Sequence, residues 1–334
     1  MSLIDTNPAI IVILILSFIV TLLSTKFWIR AARKAKLIGK DMHKSDKREV
    51  PEMGGIGVLC GFLIGVFLYV AFITFFGNNI SNTVQILALV TTVLLMALIG
   101  MIDDILGWKL GLRRWHKVIL TLLASLPMIV INAGNSKIYI PQIGVYMELG
   151  LIFPLIIIPA MVVWSSNSFN IIAGYNGLEG GMGIIILGTL SYATWRVGET
   201  WISVIALIGV LCLLGFLFFN WYPAKIFPGD TLTYSIGGLI ACIAILGSAQ
   251  KVFGILFIPY AIEAVLKLRG KLKKESFAVV TQDGNLINAN KEWYGLEHIA
   301  VSLLNNVFGK AKEWSVVLVL LIFEMMFVVV AVMV

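Results

Sequence analysis

The sequence predicts an all-α polytopic membrane protein of about ten transmembrane helices, with a short outer β-hairpin and, in the last cytoplasmic loop, a small β-hairpin and an interfacial helix. Three observations predict it. Of 334 residues, 59% are hydrophobic and only 13% charged, against about a quarter charged in a soluble domain, and mean hydropathy is +0.97. That much apolar surface cannot be hidden in a water-soluble globule. The apolar residues fall into ten runs, near 8–25, 54–77, 83–102, 118–133, 151–165, 181–195, 201–219, 231–250, 252–268 and 314–334. Finally, the connections between runs alternate between basic and nearly uncharged.

Taken in order, the first run lacks the basic leader and small-residue cleavage site of a signal peptide. In the second, Gly57, Gly61 and Gly65 share a helix face, which suits close packing against another helix. The third ends in "ALIGMIDDILGW", with Asp103 and Asp104 adjacent. After the fourth, "SKIYIPQIGVYMELG" (136–150) alternates around a central PQIG and reads as an outer hairpin. Runs six and seven are split only by "RVGET". Several runs fall short of the roughly 20 residues a perpendicular span needs. Between runs nine and ten, "FAVVTQDGNLINA" (277–289) holds Asp-Gly between alternating apolar residues, a hairpin signal. The following "LEHIAVSLLNNVFGK" puts Ile299, Leu303 and Val307 on one face. It reads either as an amphipathic helix on the membrane surface or as a helix packed on the hairpin. Cys60, Cys212 and Cys242 lie inside apolar runs, with neither disulfide framework nor metal-ligand spacing.

Charge sets the orientation. Of 25 Lys and Arg, 22 lie in odd-numbered connections, and only Lys137, Arg196 and Lys251 lie in even-numbered ones. The positive-inside rule puts the odd connections in the cytoplasm and both termini outside. The net charge of +7 is then accounted for by a basic face beside anionic lipid, with no nucleic-acid partner required.

Orientation puts Asp103 and Asp104 at the cytoplasmic, carbonyl end of a helix, where carboxylates are unfavourable. Two adjacent ones therefore call for a cation, either a metal or a protonated partner. The other polar islands face the same side. "SSNSFNIIAGYNGLEGG" (165–181) carries Asn167, Asn170, Asn176 and Glu179, and its AGYNG would let backbone approach a ligand. "FNWYPAKIFPGDTLTY" (219–234) carries Asp230, which by itself could be an N-cap. Together Asp103, Asp104, Asn170, Asn176 and Asp230 are oxygen ligands of the type Mg²⁺ prefers when it shares its shell with phosphate. Lys117 could hold phosphate nearby. The combination points to phosphoryl chemistry on an anionic substrate at the membrane.

"IDDILGW…LRRWHK", "NSFNIIAGYNGLEGG" and "FNWYPAKIFPGDTLTY" resemble, in order and placement, the polyprenyl-phosphate N-acetylhexosamine-1-phosphate transferases, above all the eukaryotic and archaeal UDP-GlcNAc:dolichyl-phosphate GlcNAc-1-phosphate transferases. The resemblance runs from "KREVPEMGG" to the final helix, so 1–334 is read as one transmembrane transferase domain with a cytoplasmic loop at 268–313. It implies a cytoplasmic active site in a multi-pass protein of the plasma membrane (or, in a eukaryote, the endoplasmic reticulum). It also implies Mg²⁺, with Mn²⁺ as a substitute, and UDP-GlcNAc and a polyprenyl or dolichyl phosphate as substrates; a homodimer is the assembly to test. By motif, Asp103 and Asp104 resemble the paired aspartates at the lipid-phosphate end, and Lys117 the phosphate-contacting lysine. Asn170 and Asp230 resemble the metal and diphosphate ligands. Asn176 and the Gly174 backbone resemble the uracil-reading pair, Phe227 the stacking ring and Glu52 a carboxylate near the sugar. The last cytoplasmic loop lacks the histidine motif of many relatives. Its basic residues Arg269, Lys271, Lys273 and Lys274 are candidates for diphosphate or sugar contacts, and equally for lipid headgroups.

The implied reaction is attack of the lipid phosphate on the β-phosphorus with UMP leaving. Asp103 is the candidate base, and a covalent aspartyl-phosphate route stays open. A bacterial-type undecaprenyl-phosphate transferase is the alternative within enzymes. A transporter is the alternative outside them, but it would show midplane charges and internal repeats. Here Glu263 and Glu324 are the main intramembrane charges and no clear repeat is found.

Overall fold

The computed structural model describes residues 8–44, 46–77, 82–140 and 145–333, with 108–110, 138–140 and 145–146 described in backbone alone. Helix α1 (Pro8–Lys34) leads into a small hairpin, β1 (Ile38–Lys40) with β2 (Glu49–Pro51), then α2 (Gly55–Phe75), α3 (Thr83–Leu110), α4 (Arg114–Ala124) and α5 (Leu126–Val130). The outer hairpin follows as β3 (Lys137–Ile140) paired antiparallel with β4 (Val145–Glu148); its central PQIG lies outside the described residues. A π-helical turn (Phe153–Ile157) runs into α6 (Ile158–Ile171). Then come α7 (Leu178–Arg196), α8 (Thr200–Asn220), α9 (Gly229–Leu246), α10 (Gln250–Leu256) and α11 (Ile258–Arg269). The chain closes with β5 (Val279–Val280), β6 (Leu286–Ile287), α12 (Leu296–Phe308) and α13 (Glu313–Met333).

The protein is thus a multi-pass, all-α membrane protein, with helix at every one of the ten apolar runs. Among the described residues seven segments are long and apolar enough to cross a bilayer: α1, α2, α3 as far as Gly107, the π turn with α6, α8, α9 and α13. The other three runs fall short for visible reasons. Run four breaks at Ser125, ahead of Pro127, and run nine at Phe257, ahead of Pro259; proline lacks the N–H that would continue the ladder. Helix α7 has 19 residues but is diluted by Gly180, Gly181, Gly183 and Gly188.

Helix α9 is the central element, buried at every residue from Thr231 to Leu246, and it packs on α3 and α6. The predicted glycine face does bring two helices together. A Cβ at Gly57, Gly61 or Gly65 would collide with Thr25, Thr21 or Ser17 of α1. The Ser17 and Thr21 hydroxyls donate to carbonyls four residues back, at 2.8 and 2.9 Å, so this close face leaves neither of them unsatisfied.

The third hairpin, β5 with β6, turns at Asp283–Gly284, with Gly284 at φ +70°. Helix α12 packs on the hairpin, with Asn305 Nδ2 donating to Leu286 O at 2.8 Å. Leu296, Ala300, Val301 and Leu304 are buried, whereas Leu303 and Val307 are 49% and 62% exposed, an apolar edge of the kind that lies on a membrane surface. Glu263 is not a stray intramembrane charge: it pairs with Lys267 at 3.3 Å and accepts the Leu296 N–H at 2.6 Å, at the start of α12.

Candidate active site

Helix α3 continues past the predicted end of its run. Asp103 and Asp104 therefore sit about one turn inside it, ahead of a break at Gly107 (φ +70°, ψ 171°). Their partners lie elsewhere in the chain. Asp104 Oδ1 accepts the Asp230 N–H at 2.7 Å, and its Oδ2 accepts the Thr231 N–H at 2.9 Å and hydroxyl at 2.6 Å. Asp104 thus caps the N-terminus of α9, where negative charge is favourable. Gly229 makes this possible: it has φ +71°, and a Cβ there would stand 2.5 Å from Asp104 Oδ2. Freed from capping its own helix, Asp230 turns its carboxylate outward.

That carboxylate meets Lys117. The ammonium donates to Asp230 Oδ2 at 2.6 Å and to Asp103 Oδ2 at 2.7 Å, while Asp103 Oδ1 accepts the Leu112 N–H at 2.5 Å. Burial opposes the Lys117 charge, but Asp230 and Asp103 outweigh it and hold its pKa above the ordinary lysine value. Asn170 donates to Asp230 Oδ2 at 3.3 Å and accepts from the Thr233 hydroxyl at 3.0 Å.

Asp103, Asp104, Asn170, Asp230 and Thr233 line a cavity of about 350 Å³; Lys117 is not in its lining and touches it through the two carboxylates it bridges. Residues from all five odd-numbered connections line it, among them Asp41, Asp103, Asn176, Asp230 and Phe277. Nine of the residues singled out from sequence take part: Glu52, Asp103, Asp104, Asn170, Gly174, Asn176, Glu179, Phe227 and Asp230. Burial, with Asp104 nearby, raises the pKa of Glu52. The loop carrying Phe227 is tied to the loop carrying Glu52: Phe227 N–H donates to Pro51 O at 2.8 Å, and Gly54 N–H to Phe227 O at 2.9 Å.

In the same lining, Gly174 (φ +106°) donates its N–H to Glu179 Oε1 at 2.8 Å. Glu179 is fully enclosed; burial raises its pKa to about 7, although the Gly174 bond pulls the other way. Asn176 donates its main-chain N–H to Glu313 Oε1 at 2.9 Å and its side-chain Nδ2 to Asp41 Oδ2 at 3.1 Å.

Arg269, Lys271 and Lys273 do not line the cavity. Arg269 instead pairs with Glu292 at 2.8 Å, both half exposed to solvent. Sequence reasoning passed over Asp41, Tyr175, Asn220, Thr233 and Phe277. The one signal was for Asp41, an acid within a connection that carries nine basic residues.

Two clusters could hold a cation. Asp103, Asp104 and Asp230 carry three carboxylates against the single ammonium of Lys117, leaving an excess of negative charge on hard oxygen donors, a set that fits a divalent cation. Among the described residues, Asp41, His43 and Glu313 are the group whose ligand atoms all lie within 4.8 Å of one another. Their charge is already met, however: Lys44 pairs with both carboxylates and Arg48 lies 3.6 Å from Asp41. The first cluster is therefore the better metal candidate, and the second is an internal ion cluster.

The chain is similar to known proteins over most of its length. The description "glycosyl transferase family 4" matches residues 86–248. A Saccharolobus solfataricus protein, provisionally named a UDP-N-acetylglucosamine–dolichyl-phosphate N-acetylglucosaminephosphotransferase, is 39% identical over 326 residues, which is 97% of this chain and 96% of its own. A Dictyostelium discoideum protein with the same name, not provisional, is 31% identical over 68% of this chain and 63% of its own. A phospho-N-acetylmuramoyl-pentapeptide-transferase of Halalkalibacterium halodurans is 30% identical over 77% of this chain and 83% of its own.

Proposed function

Because the chain belongs to glycosyl transferase family 4, we propose that it transfers GlcNAc-1-phosphate from UDP-GlcNAc to a membrane polyprenyl phosphate of the dolichyl type and releases UMP. The reaction would take place on the cytoplasmic face, which the basic odd-numbered connections mark. We read 1–334 as one transferase domain, with 268–313 as its cytoplasmic appendage. The observation that carries the reading is that Asp103, Asp230 and Asn170 line one cavity with Phe227 and Asn176, while Lys117 bridges the two carboxylates from behind the lining.

The roles follow from the bonds. Asp104 has both oxygens occupied by α9, so it holds Asp230 in place and is not free to attack phosphorus or take a proton. Asp103 keeps only one oxygen on backbone and offers the other, with Lys117, toward an incoming phosphate. A phosphate second pKa near 6 makes proton removal there a modest task. Lys117 then shifts from carboxylates to phosphate, where its charge supports the developing transition state. Asp230 and Asn170 are the residues that would hold Mg²⁺, whose chemistry there is to offset diphosphate charge.

Two reactions could join a sugar nucleotide to a lipid phosphate. Attack at the anomeric carbon releases UDP; attack at the β-phosphorus releases UMP and keeps the anomeric configuration. Carboxylates and a lysine gathered for phosphate and metal support the second. With β-³²P-labelled UDP-GlcNAc, lipid phosphate and Mg²⁺, the label should follow the lipid. Label recovered in UDP would overturn the proposal.

A further inference from the structure

Asn176 is held in one orientation by chemistry that leaves no choice of flip. A carboxylate only accepts hydrogen bonds, so the side-chain atom 3.1 Å from Asp41 Oδ2 has to be Nδ2. Oδ1 is then left as the side chain's remaining polar atom, and among the described residues no hydrogen bond reaches it. The residue is buried and lines the cavity.

The clamp behind it is stiff. Asp41 is 2% exposed and lies 3.5 Å from Lys44 and 3.6 Å from Arg48. Lys44 reaches across to Glu313, which takes the Asn176 main-chain N–H. His43 stacks on Tyr175 at 4.1 Å between ring centroids. First connection, fifth connection and α13 are thereby locked together around one amide. The neighbouring backbone donor is also spent, since the Gly174 N–H goes to Glu179.

We propose that Asp41, backed by Glu313, is a positioning residue that fixes Asn176 as an acceptor-only reader, and so makes the cavity select a pyrimidine bearing a ring N–H (uracil) over one bearing a bare ring nitrogen (cytosine). The inference rests on the nucleotide reading above and adds the source of its base specificity. Uracil N3 carries a hydrogen that Oδ1 can accept; cytosine N3 is itself an acceptor and would meet Oδ1 lone pair to lone pair. An unrestrained asparagine escapes this by turning over and offering Nδ2. Here the turn would break a charge-assisted bond and bring Oδ1 against the Asp41 carboxylate.

The test is a ratio of affinities. UMP and CMP binding to the purified full chain would be measured by calorimetry for the unmodified protein, Asp41→Asn and Asn176→Ala. The amide that Asp41→Asn introduces can face Asn176 with either its oxygen or its nitrogen, so the flip becomes free. A preference for UMP of tenfold or more in the unmodified protein should fall to within about threefold in Asp41→Asn, chiefly by tighter CMP binding. Parallel weakening of both nucleotides with the ratio intact would make Asp41 a structural residue only and overturn the proposal. Asn176→Ala leaves Asp41, Lys44, Arg48 and Glu313 in place and keeps the test decisive should Asp41→Asn not fold. Its ratio should also collapse, and a retained preference for UMP would place the reader elsewhere. Failure of the unmodified protein to bind UMP would overturn the nucleotide reading beneath the proposal, a separate result.

Discussion

Replacing Asp104 by Asn separates a structural aspartate from a reacting one. The carboxylate takes three hydrogen bonds, two from the first backbone N–H groups of α9 and one from the Thr231 hydroxyl. An amide offers only one oxygen. In its better orientation it keeps the two Thr231 bonds and turns an NH₂ toward the Asp230 N–H, now 2.7 Å from an oxygen. One buried donor then loses its partner, at roughly 1–3 kcal/mol. Lost charge at the helix N-terminus adds about 0.3–2 kcal/mol. We expect about 2–4 kcal/mol of destabilisation from the two together, read as a clear drop in the thermal midpoint in detergent. UMP release should also fall, because Asp230 moves with the end of α9. Asp103→Asn is the control: it keeps the Leu112 bond and should lose activity with a far smaller change in midpoint. If Asp104→Asn abolishes transfer while its midpoint matches that of the unmodified protein, the capping argument is wrong and Asp104 acts on substrate.

Asp230→Ala should abolish transfer while leaving a monodisperse protein in detergent, since Asp104 still caps α9 through backbone; near-normal UMP release would leave the Lys117 bridge without a role in the reaction. Phe227→Ala should weaken UMP binding by roughly 1–3 kcal/mol if the ring stacks on the base, and calorimetry showing unchanged affinity would put the base elsewhere. Glu179 gives a pH signature. Burial raises its folded pKa to about 7, above its unfolded value, so the folded state holds this proton more tightly. The associated stability is complete below about pH 4.5 and is lost as pH rises toward 7, by an amount on the order of 3 kcal/mol. Glu179→Gln should flatten that part of the pH–stability curve, and an unchanged slope would assign it to another group.

Much of the architecture was legible in the chain because a bilayer imposes simple demands. Spans must be apolar and helical, basic residues gather on one side, and hairpins need turn residues such as Asp283–Gly284. The glycine face of α2 was equally plain, since only a residue without Cβ lets α1 come so close. The breaks ahead of Pro127 and Pro259, which split runs four and nine into short helices, were not read from the sequence. The candidate cavity was legible as far as residue type shows chemistry: carboxylates, amides and a lysine in neighbouring connections announce phosphate and metal. Asp41 was hidden because one of four acids among nine basic residues reads as part of a solvated loop.

By itself the sequence determined the membrane class, the alternation of basic connections, the two predicted hairpins and the set of polar residues gathered at one face. Only the tertiary structure decided which of those residues bond to one another. The Asp-Asp pair divides its labour because α9 begins beside α3: Asp104 caps a helix from a distant part of the chain, and Asp103 joins Asp230 on Lys117. Asn176 becomes an acceptor only because the first connection folds Asp41 against it. The reason is physical. Hydropathy and charge are properties of each residue and survive in one dimension, whereas a hydrogen bond needs a donor and an acceptor about 3 Å apart, and that distance exists only once the helices have packed.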